Sequence, residues 1–168
     1  MSGLSSVGLL LGLAILQVFL PQVWSPLGAV DWLLIYIVHE SLRGSFQRSI
    51  LTGAGGGLLQ DGLSGGIVGL HAFAKTAVAA VIASFGSFLV VRGPLLQALV
   101  TGAATFVEGL IVTFWQAMLG RPVSMGPLDI LLRALATGIA TALLLAAARR
   151  WQQRALQKGR GGVKAARP

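Results

Sequence analysis

Residues 53–75 read GAGGGLLQDGLSGGIVGLHAFAK, a glycine-rich apolar stretch that is interrupted by one acid and ends near a histidine and a lysine. Its first part belongs to the segment 49–64, which spans about 24 Å if it is helical. Such a segment could cross a membrane or form a re-entrant loop. The flanking charges favour a crossing, because Arg48 before it and Arg92 after the next apolar run should both lie on the cytoplasmic side.

The composition of the whole chain is that of a membrane protein. Of its 168 residues, 55% are hydrophobic and 11% are charged, and the mean hydropathy is +0.80. A soluble domain carries about 25% charged residues, so this chain could not cover a water-facing surface. The apolar residues form long runs rather than the short alternating segments of an outer-membrane barrel. The sequence therefore predicts an all-α, polytopic membrane protein.

Six apolar runs predict six transmembrane helices. Several runs are separated by proline, which is favoured at the first position of a helix. The helices together form one transmembrane domain, residues 1–150, followed by a basic cytoplasmic tail, residues 151–168. The predicted helices span residues 4–23, 27–41, 49–64, 67–91, 94–119 and 126–149.

The distribution of charge predicts the orientation. Seven of the thirteen Lys and Arg residues lie between positions 149 and 167, and Arg43, Arg48 and Arg92 fall in loops on the same side. Only Arg121 falls in a loop on the other side. Positive residues accumulate on the cytoplasmic side, so we expect both termini in the cytoplasm of a bacterial inner membrane. We interpret the net charge of +8 as contact with membrane lipids rather than binding of nucleic acid.

Several classes of enzyme are excluded by missing residues. The absence of cysteine rules out disulfides, thiolate metal sites and cysteine nucleophiles. The chain contains neither a Gly-x-Ser-x-Gly motif nor a Walker-type phosphate loop. One histidine and one aspartate near position 65 are too few ligands for a metal. We therefore expect no catalytic residues, cofactor or metal, with a carboxylate pair of Asp61 and Asp129 as the least favoured alternative.

Ionisable residues occur inside the predicted helices, where each costs several kcal/mol unless it is paired or hydrated. The polar residues of helices five and six recur at steps of three, four or eight, which places them on one inward face of each helix. Glu108 and Arg133 differ in membrane depth by about 7 Å, counted from the outer loop. We predict that they form an ion pair that fixes helix register, with Asp129 as a competitor for Arg133. A substrate site is the alternative.

A second polar cluster surrounds the predicted turn between helices three and four. His71 and Lys75 are four residues apart on one helical face, and Asp61 lies at the end of the preceding helix. A salt-bridged turn is the interpretation we prefer. A contact with a partner protein and the rim of a pocket are the alternatives.

Pairs of glycines spaced four residues apart predict close approach of helix backbones. Such pairs would pack helices inside the protein or against a partner in the membrane. They are Gly8 and Gly12, Gly53 and Gly57, and Gly65 and Gly69.

Residues 53–75 resemble the central signature of the MreD family of rod-shape-determining membrane proteins. In that signature a glycine-rich helix ends in aspartate, and a Leu-Ser-Gly turn leads to a Gly-Leu-His-Ala helix start. The chain length, the six short helices, Asp31 at the start of helix two and the basic end also fit the family. The matching signature positions are Gly53, Gly57, Asp61, Leu63, Ser64, Gly65, Gly69, Leu70, His71 and Ala72.

The resemblance implies a non-enzymatic scaffold of the cell-elongation machinery. MreD proteins work with the bitopic protein MreC, and that machinery links the MreB cytoskeleton to the glycosyltransferase RodA and its transpeptidase. The family's fold resembles the S components of energy-coupling-factor transporters, so binding of a vitamin is the alternative function. We prefer the scaffold, because the predicted outer loops are short and contain few groups that could recognise a polar vitamin.

Overall fold

The computed structural model describes residues 3–86, 93–123 and 125–164, with residues 3–5, 25–26 and 155–164 described as backbone only. These residues form six α-helices and contain no strand, as the sequence predicts. A 3-10 helix, Ser25–Ala29, lies between the first two α-helices. The α-helices are α1 (Gly3–Val23), α2 (Trp32–Ser41), α3 (Phe46–Ser64), α4 (Leu70–Gly86), α5 (Pro94–Met118) and α6 (Pro127–Lys164).

Three of the described helices are long and apolar enough to cross a membrane. The qualifying segments are Ser6–Val23, Pro94–Met118 and Pro127–Arg154. Helix α4 is apolar as well, but its described part, Leu70–Gly86, is shorter. This composition confirms a polytopic membrane protein.

Helix α2 is much shorter than the helix predicted for residues 27–41. The chain leaves the 3-10 helix at Ala29, and Asp31 then caps a new helix by accepting a hydrogen bond of 2.8 Å from the backbone N–H of Leu34. Ten residues of α-helix span about 15 Å, half of a hydrocarbon core of ~30 Å. Helix α2 is therefore a short element of the core, and its fully buried side chains include Leu33, Leu34 and Ile37.

Helix α3 is one continuous helix of 19 residues and not a re-entrant loop. It begins three residues earlier than predicted, because the Ser45 side chain caps it by accepting from the backbone N–H of Arg48. It ends where Gly65 adopts a left-handed conformation with φ of 64°. Its length of about 28 Å is close to the thickness of the hydrocarbon core.

Glycines allow α3 to approach α4 closely, as predicted for Gly53 and Gly57. A Cβ atom added at Gly57 would lie 2.3 Å from the Cα of Ala72, and one added at Gly53 would lie 2.9 Å from the carbonyl oxygen of Lys75. Both contacts are with backbone, which cannot move aside easily. The α3–α4 packing therefore requires glycine at these positions.

The other predicted glycine pairs do not pack helices within this chain. Gly65 and Gly69 have positive φ angles of 64° and 97° and lie in the turn between α3 and α4. The prediction of helix packing is wrong for this pair, because the two residues supply turn geometry. Gly8 and Gly12 are exposed on α1, and a Cβ added at either would meet no described atom within 4 Å outside the nearby backbone of α1 itself. The pair that brings α5 and α6 together is instead Gly102 and Gly138.

The helices form two units, a larger one of α1, α3 and α4 and a smaller one of α5 and α6, and α2 contacts both. Helix α3 packs most extensively against α4, and α5 packs most extensively against α6. Helix α2 touches both units, and its residues Leu34 and Val38 form a buried cluster with Val78 of α4 and Ala104 of α5. The α5–α6 hairpin is thus joined to the rest of the protein mainly through α2 and α4.

Two further predicted boundaries differ from the structure by three residues or more. Helix α4 begins at Leu70, three residues later than predicted, because the turn extends to Gly69. Helix α6 continues beyond Arg149 to Lys164, so the basic segment is an extension of this helix. Its Gln, Arg, Ala and Leu residues are good helix formers. Residues 87–91 of the predicted fourth helix, and Arg92, lie outside the described residues.

Candidate functional site: a buried ionic network

Four charged side chains from four helices meet in the centre of the protein. Lys75 of α4 places its Nζ 2.7 Å from Oδ2 of Asp31 and 2.8 Å from Oε1 of Glu108 on α5. Arg133 of α6 places Nη2 2.9 Å from the same Asp31 oxygen. These contacts form one continuous chain of ion pairs across α2, α4, α5 and α6. We call these four residues the ionic network.

The ionic network is buried and balanced in charge. Asp31 and Lys75 have no exposed surface, and Glu108 is 2% exposed. Two carboxylates face two cations, so every charge has an opposite partner. Removing one member of a buried pair strands the other charge and typically costs about 3–5 kcal/mol. The network therefore fixes how the four helices sit against each other.

Helix α1 and helix α6 hold the backbone around Asp31. Gln17 of α1 donates from Nε2 to the carbonyl oxygen of Val30 at 3.2 Å and accepts at Oε1 from the backbone N–H of Trp32 at 2.7 Å. The backbone N–H of Asp31 donates to Thr137 Oγ1 of α6 at 3.1 Å. Gln17 is a site residue that was not predicted from the sequence. Its signal is a single amide in the middle of an otherwise apolar helix, where a polar group needs a partner.

Asp61 caps α4 instead of forming the predicted salt-bridged turn. Its carboxylate accepts hydrogen bonds from three backbone N–H groups, those of Gly69 at 2.8 Å, His71 at 3.1 Å and Ala72 at 3.2 Å. These donors lie at the start of α4, where backbone N–H groups have no partner within the helix. The prediction is therefore wrong about the interaction, since Asp61 has no ion pair among the described residues. Ser64 donates to the Asp61 carbonyl oxygen at 3.4 Å.

His71 and Lys75 point away from Asp61 and toward Glu108. The Nδ1 atom of His71 lies 3.2 Å from Oε1 of Glu108. The His71 side chain is 19% exposed, whereas that of Glu108 is 3% exposed. His71 therefore connects the ionic network to the protein surface.

The predicted pair of Glu108 and Arg133 is not the pair that forms. Arg133 contacts Asp31, and Glu108 contacts Lys75 and His71. Counting residues from the outer loop placed both side chains at similar depths in the membrane. Such a count does not show which other helix lies between them. Asp129, the predicted competitor, accepts from the backbone N–H of Gly126 at 3.0 Å and thus caps α6.

The polar stripes of α5 and α6 face inward as predicted, except at Asp129, which is exposed at the start of α6. Three threonine hydroxyls donate to the carbonyl oxygen four residues earlier: Thr101 to Gln97 at 2.8 Å, Thr105 to Thr101 at 2.9 Å and Thr141 to Thr137 at 2.8 Å. Gln97 also contacts His39 of α2, with 2.7 Å between Nε2 and Nδ1. The stripes therefore satisfy their own hydrogen bonds and connect α5 to α2.

The network encloses little space for a ligand. The cavity beside it has a volume of about 10 Å³ and is bordered by His71, Glu108 and Arg133. Within the described ranges, no group of three or more His, Cys, Asp or Glu residues could hold a metal ion. The arrangement can hold helices together and keep charges neutralised.

Comparison with known proteins identifies one family. Residues 3–144 match the family described as rod shape-determining protein MreD. No curated protein and no solved structure matches the chain significantly.

Proposed function

Because the chain belongs to the MreD family of rod shape-determining membrane proteins, we propose that it is a non-enzymatic scaffold that binds an MreC-like single-pass protein. Through that partner it would connect the MreB cytoskeleton to peptidoglycan synthesis by RodA and its transpeptidase. The proposed location is the bacterial inner membrane, with both termini in the cytoplasm. The observation that carries the proposal is the ionic network, whose charges are all engaged within the chain.

A scaffold needs a rigid interior and an accessible outer surface. The ionic network ties α2, α4, α5 and α6 together, and each of its four charges has an oppositely charged partner within the network. The surfaces that remain for binding are the outward faces of the helices, which carry many exposed apolar side chains. In a membrane such faces meet lipid or the helix of another protein.

The outward face of α1 is the best supported docking surface for a partner helix. Gly8, Gly12, Ile15 and Phe19 follow at steps of four, three and four, so they share one side of the helix. Ile15 is 51% exposed and Phe19 is 57% exposed. The opposite side of α1 packs against the protein through Leu10. Two exposed glycines beside large apolar residues would allow a second helix to approach closely.

The transporter alternative would need a polar cavity for a vitamin. Pockets for small ligands measure about 300–1,000 Å³ and present a few polar groups. The cavity at the ionic network measures about 10 Å³. Two larger grooves, of about 280 Å³ between α4 and α5 and about 400 Å³ between α5 and α6, are lined by apolar side chains. A third cavity, of about 350 Å³, has charged residues in its lining, but it lies at the end where α2 connects to α3. The basic residues at that end favour the cytoplasmic side, whereas a vitamin would enter from the outside. The cavities therefore favour the scaffold.

Co-purification tests the proposal directly. The full chain is co-expressed with an MreC-like protein, and the amount of partner recovered from solubilised membranes is measured. We expect Gly8→Leu and Gly12→Leu to reduce this recovery, because leucine at these positions blocks close helix approach. Gly62→Leu is the matched control, since Gly62 is equally exposed on α3 with no atom near an added Cβ.

Two results would contradict the scaffold. The first is failure to recover the partner with the unsubstituted chain. The second is stoichiometric, tight binding of a vitamin to the purified protein, which would support the transporter function. Recovery that is unaffected by the α1 substitutions would move the docking surface to another helix.

A further inference from the structure

A mixed polar and apolar cavity lies among α1, α2 and α3, at the end of the protein where α2 connects to α3. Its volume is about 350 Å³, within the range of small-ligand pockets. It is separate from the ionic network and shares no residue with it. Its lining includes Ser6 and Leu10 of α1, Glu40 of α2, and Arg48, Leu51 and Thr52 of α3.

The cavity is bordered by one acid and one base that do not pair with each other. The ion pairs among the described residues involve neither Glu40 nor Arg48. Backbone hydrogen bonds position both residues: the carbonyl oxygen of Glu40 accepts from Gly44, and the backbone N–H of Arg48 donates to Ser45 Oγ. A carboxylate and a guanidinium are therefore both available to a ligand in this cavity.

The rest of the lining changes from polar to apolar. Thr52 lies one turn from Arg48, and its hydroxyl donates to the Arg48 carbonyl oxygen at 2.7 Å. Leu51 is 71% exposed and Val7 is 56% exposed on the neighbouring helix surfaces. The charged part lies beside the loop that carries Arg43, where positive residues mark the membrane surface. This arrangement matches a molecule with a doubly charged head and an apolar tail.

We propose that this cavity binds the headgroup of a zwitterionic phospholipid that carries a primary ammonium, phosphatidylethanolamine. Arg48 would bind the phosphate, and Glu40 would accept hydrogen bonds from the ammonium. The acyl chains would run along Val7 and Leu51 toward the membrane centre. The proposal depends on the membrane location of the chain and not on its partner protein.

The chemistry of the two charged groups distinguishes this lipid from other common ones. The glycerol headgroup of phosphatidylglycerol is uncharged beyond its phosphate and provides no cation for Glu40. The quaternary ammonium of phosphatidylcholine has no N–H group, so it cannot donate a hydrogen bond to the carboxylate. Of these three lipids, only phosphatidylethanolamine offers an anion for Arg48 together with an N–H-bearing cation for Glu40.

Native mass spectrometry of the full chain in detergent tests the proposal. The protein is titrated with phosphatidylethanolamine, phosphatidylglycerol and phosphatidylcholine of identical acyl chains. We expect phosphatidylethanolamine to bind about tenfold more tightly than the others, the effect of one charge-assisted hydrogen bond. Glu40→Gln should remove this preference, and Arg48→Gln should weaken binding of all three lipids. Arg43→Gln is the control, because Arg43 is exposed in the loop between α2 and α3 and does not border the cavity.

Glu40→Lys provides a variant with reversed charge, which should shift the preference toward phosphatidylglycerol. Equal affinity for the three lipids in the unsubstituted protein would overturn the proposal, and so would a preference for phosphatidylglycerol. A preference for phosphatidylethanolamine that survives Glu40→Gln would equally overturn it, since the ammonium would then be recognised elsewhere. Unchanged thermal stability of each variant shows that the protein remains folded.

Discussion

Replacing Lys75 by methionine removes the cation that joins the two acids of the ionic network. Methionine is similar in length and leaves no polar atom, so the change tests charge rather than shape. Lys75 contacts Asp31 at 2.7 Å and Glu108 at 2.8 Å and has no exposed surface. After the substitution Asp31 keeps Arg133 as a partner, whereas Glu108 keeps only His71.

The expected loss follows from the stranded charge of Glu108. Breaking a buried ion pair by removing one partner costs about 3–5 kcal/mol, and we expect the free energy of unfolding to fall by this amount. The measurement is unfolding of the purified protein in detergent micelles with increasing denaturant, extrapolated linearly. Arg121→Gln is the control for loss of a positive charge, because Arg121 is exposed in a loop. Its effect should stay within about 0.5 kcal/mol.

A double-mutant cycle identifies the pairing itself. Combining Lys75→Met with Glu108→Gln should restore part of the lost free energy of unfolding. The double variant removes both charges of the pair, so neither is left buried without its partner. The coupling energy of Lys75 with Glu108 should exceed that of Glu108 with Arg133, whose side chains have different ion-pair partners. Strictly additive losses of unfolding free energy for the Lys75 and Glu108 substitutions would refute a direct contact between the two side chains. They would also refute the conclusion that this ion pair joins α4 to α5.

Three further predictions concern packing, capping and topology. Gly57→Ala should lower the free energy of unfolding by about 1–3 kcal/mol, because the added Cβ meets the backbone of α4. The control Gly62→Ala, on the open face of α3, should raise it by up to about 1 kcal/mol. Equal effects of the two substitutions would contradict the close approach of α3 and α4. Asp61→Ala should cost at least about 0.5–2 kcal/mol in the same unfolding assay through loss of the α4 cap, and no change would show that the cap is dispensable. A reporter that is active only in the periplasm should be silent after Pro168 and active in the loop 120–123; activity after Pro168 would overturn the cytoplasmic C-terminus.

The sequence alone determined the class of protein, the number of α-helices and the inward position of most polar residues of α5 and α6. Each of these properties depends on residues that are close together in the chain. Long apolar runs identify membrane helices, and polar residues at steps of three or four share one face of a helix. The match of residues 3–144 to the MreD family confirms the resemblance that was drawn from residues 53–75.

Turn chemistry was predictable only in part. The break at Asp31 and the positive φ angles of Gly65 and Gly69 are local features, but apolar periodicity does not distinguish them from helix interior. An aspartate that caps a helix and an aspartate that forms an ion pair look the same in the sequence. The role of Asp61 therefore became clear only from its three backbone donors.

Only the tertiary structure decided which charges meet. Counting residues from a loop gives the depth of a side chain along the membrane normal, and it placed Glu108 and Arg133 within reach of each other. It gives neither the order of helices around the bundle nor the position of the short helix α2 in the core. Asp31 stands between Lys75 and Arg133 because α2 begins at Asp31, in the buried centre of the protein. Partner choice in a helix bundle is a property of this lateral arrangement, which the helix sequences taken one at a time do not contain.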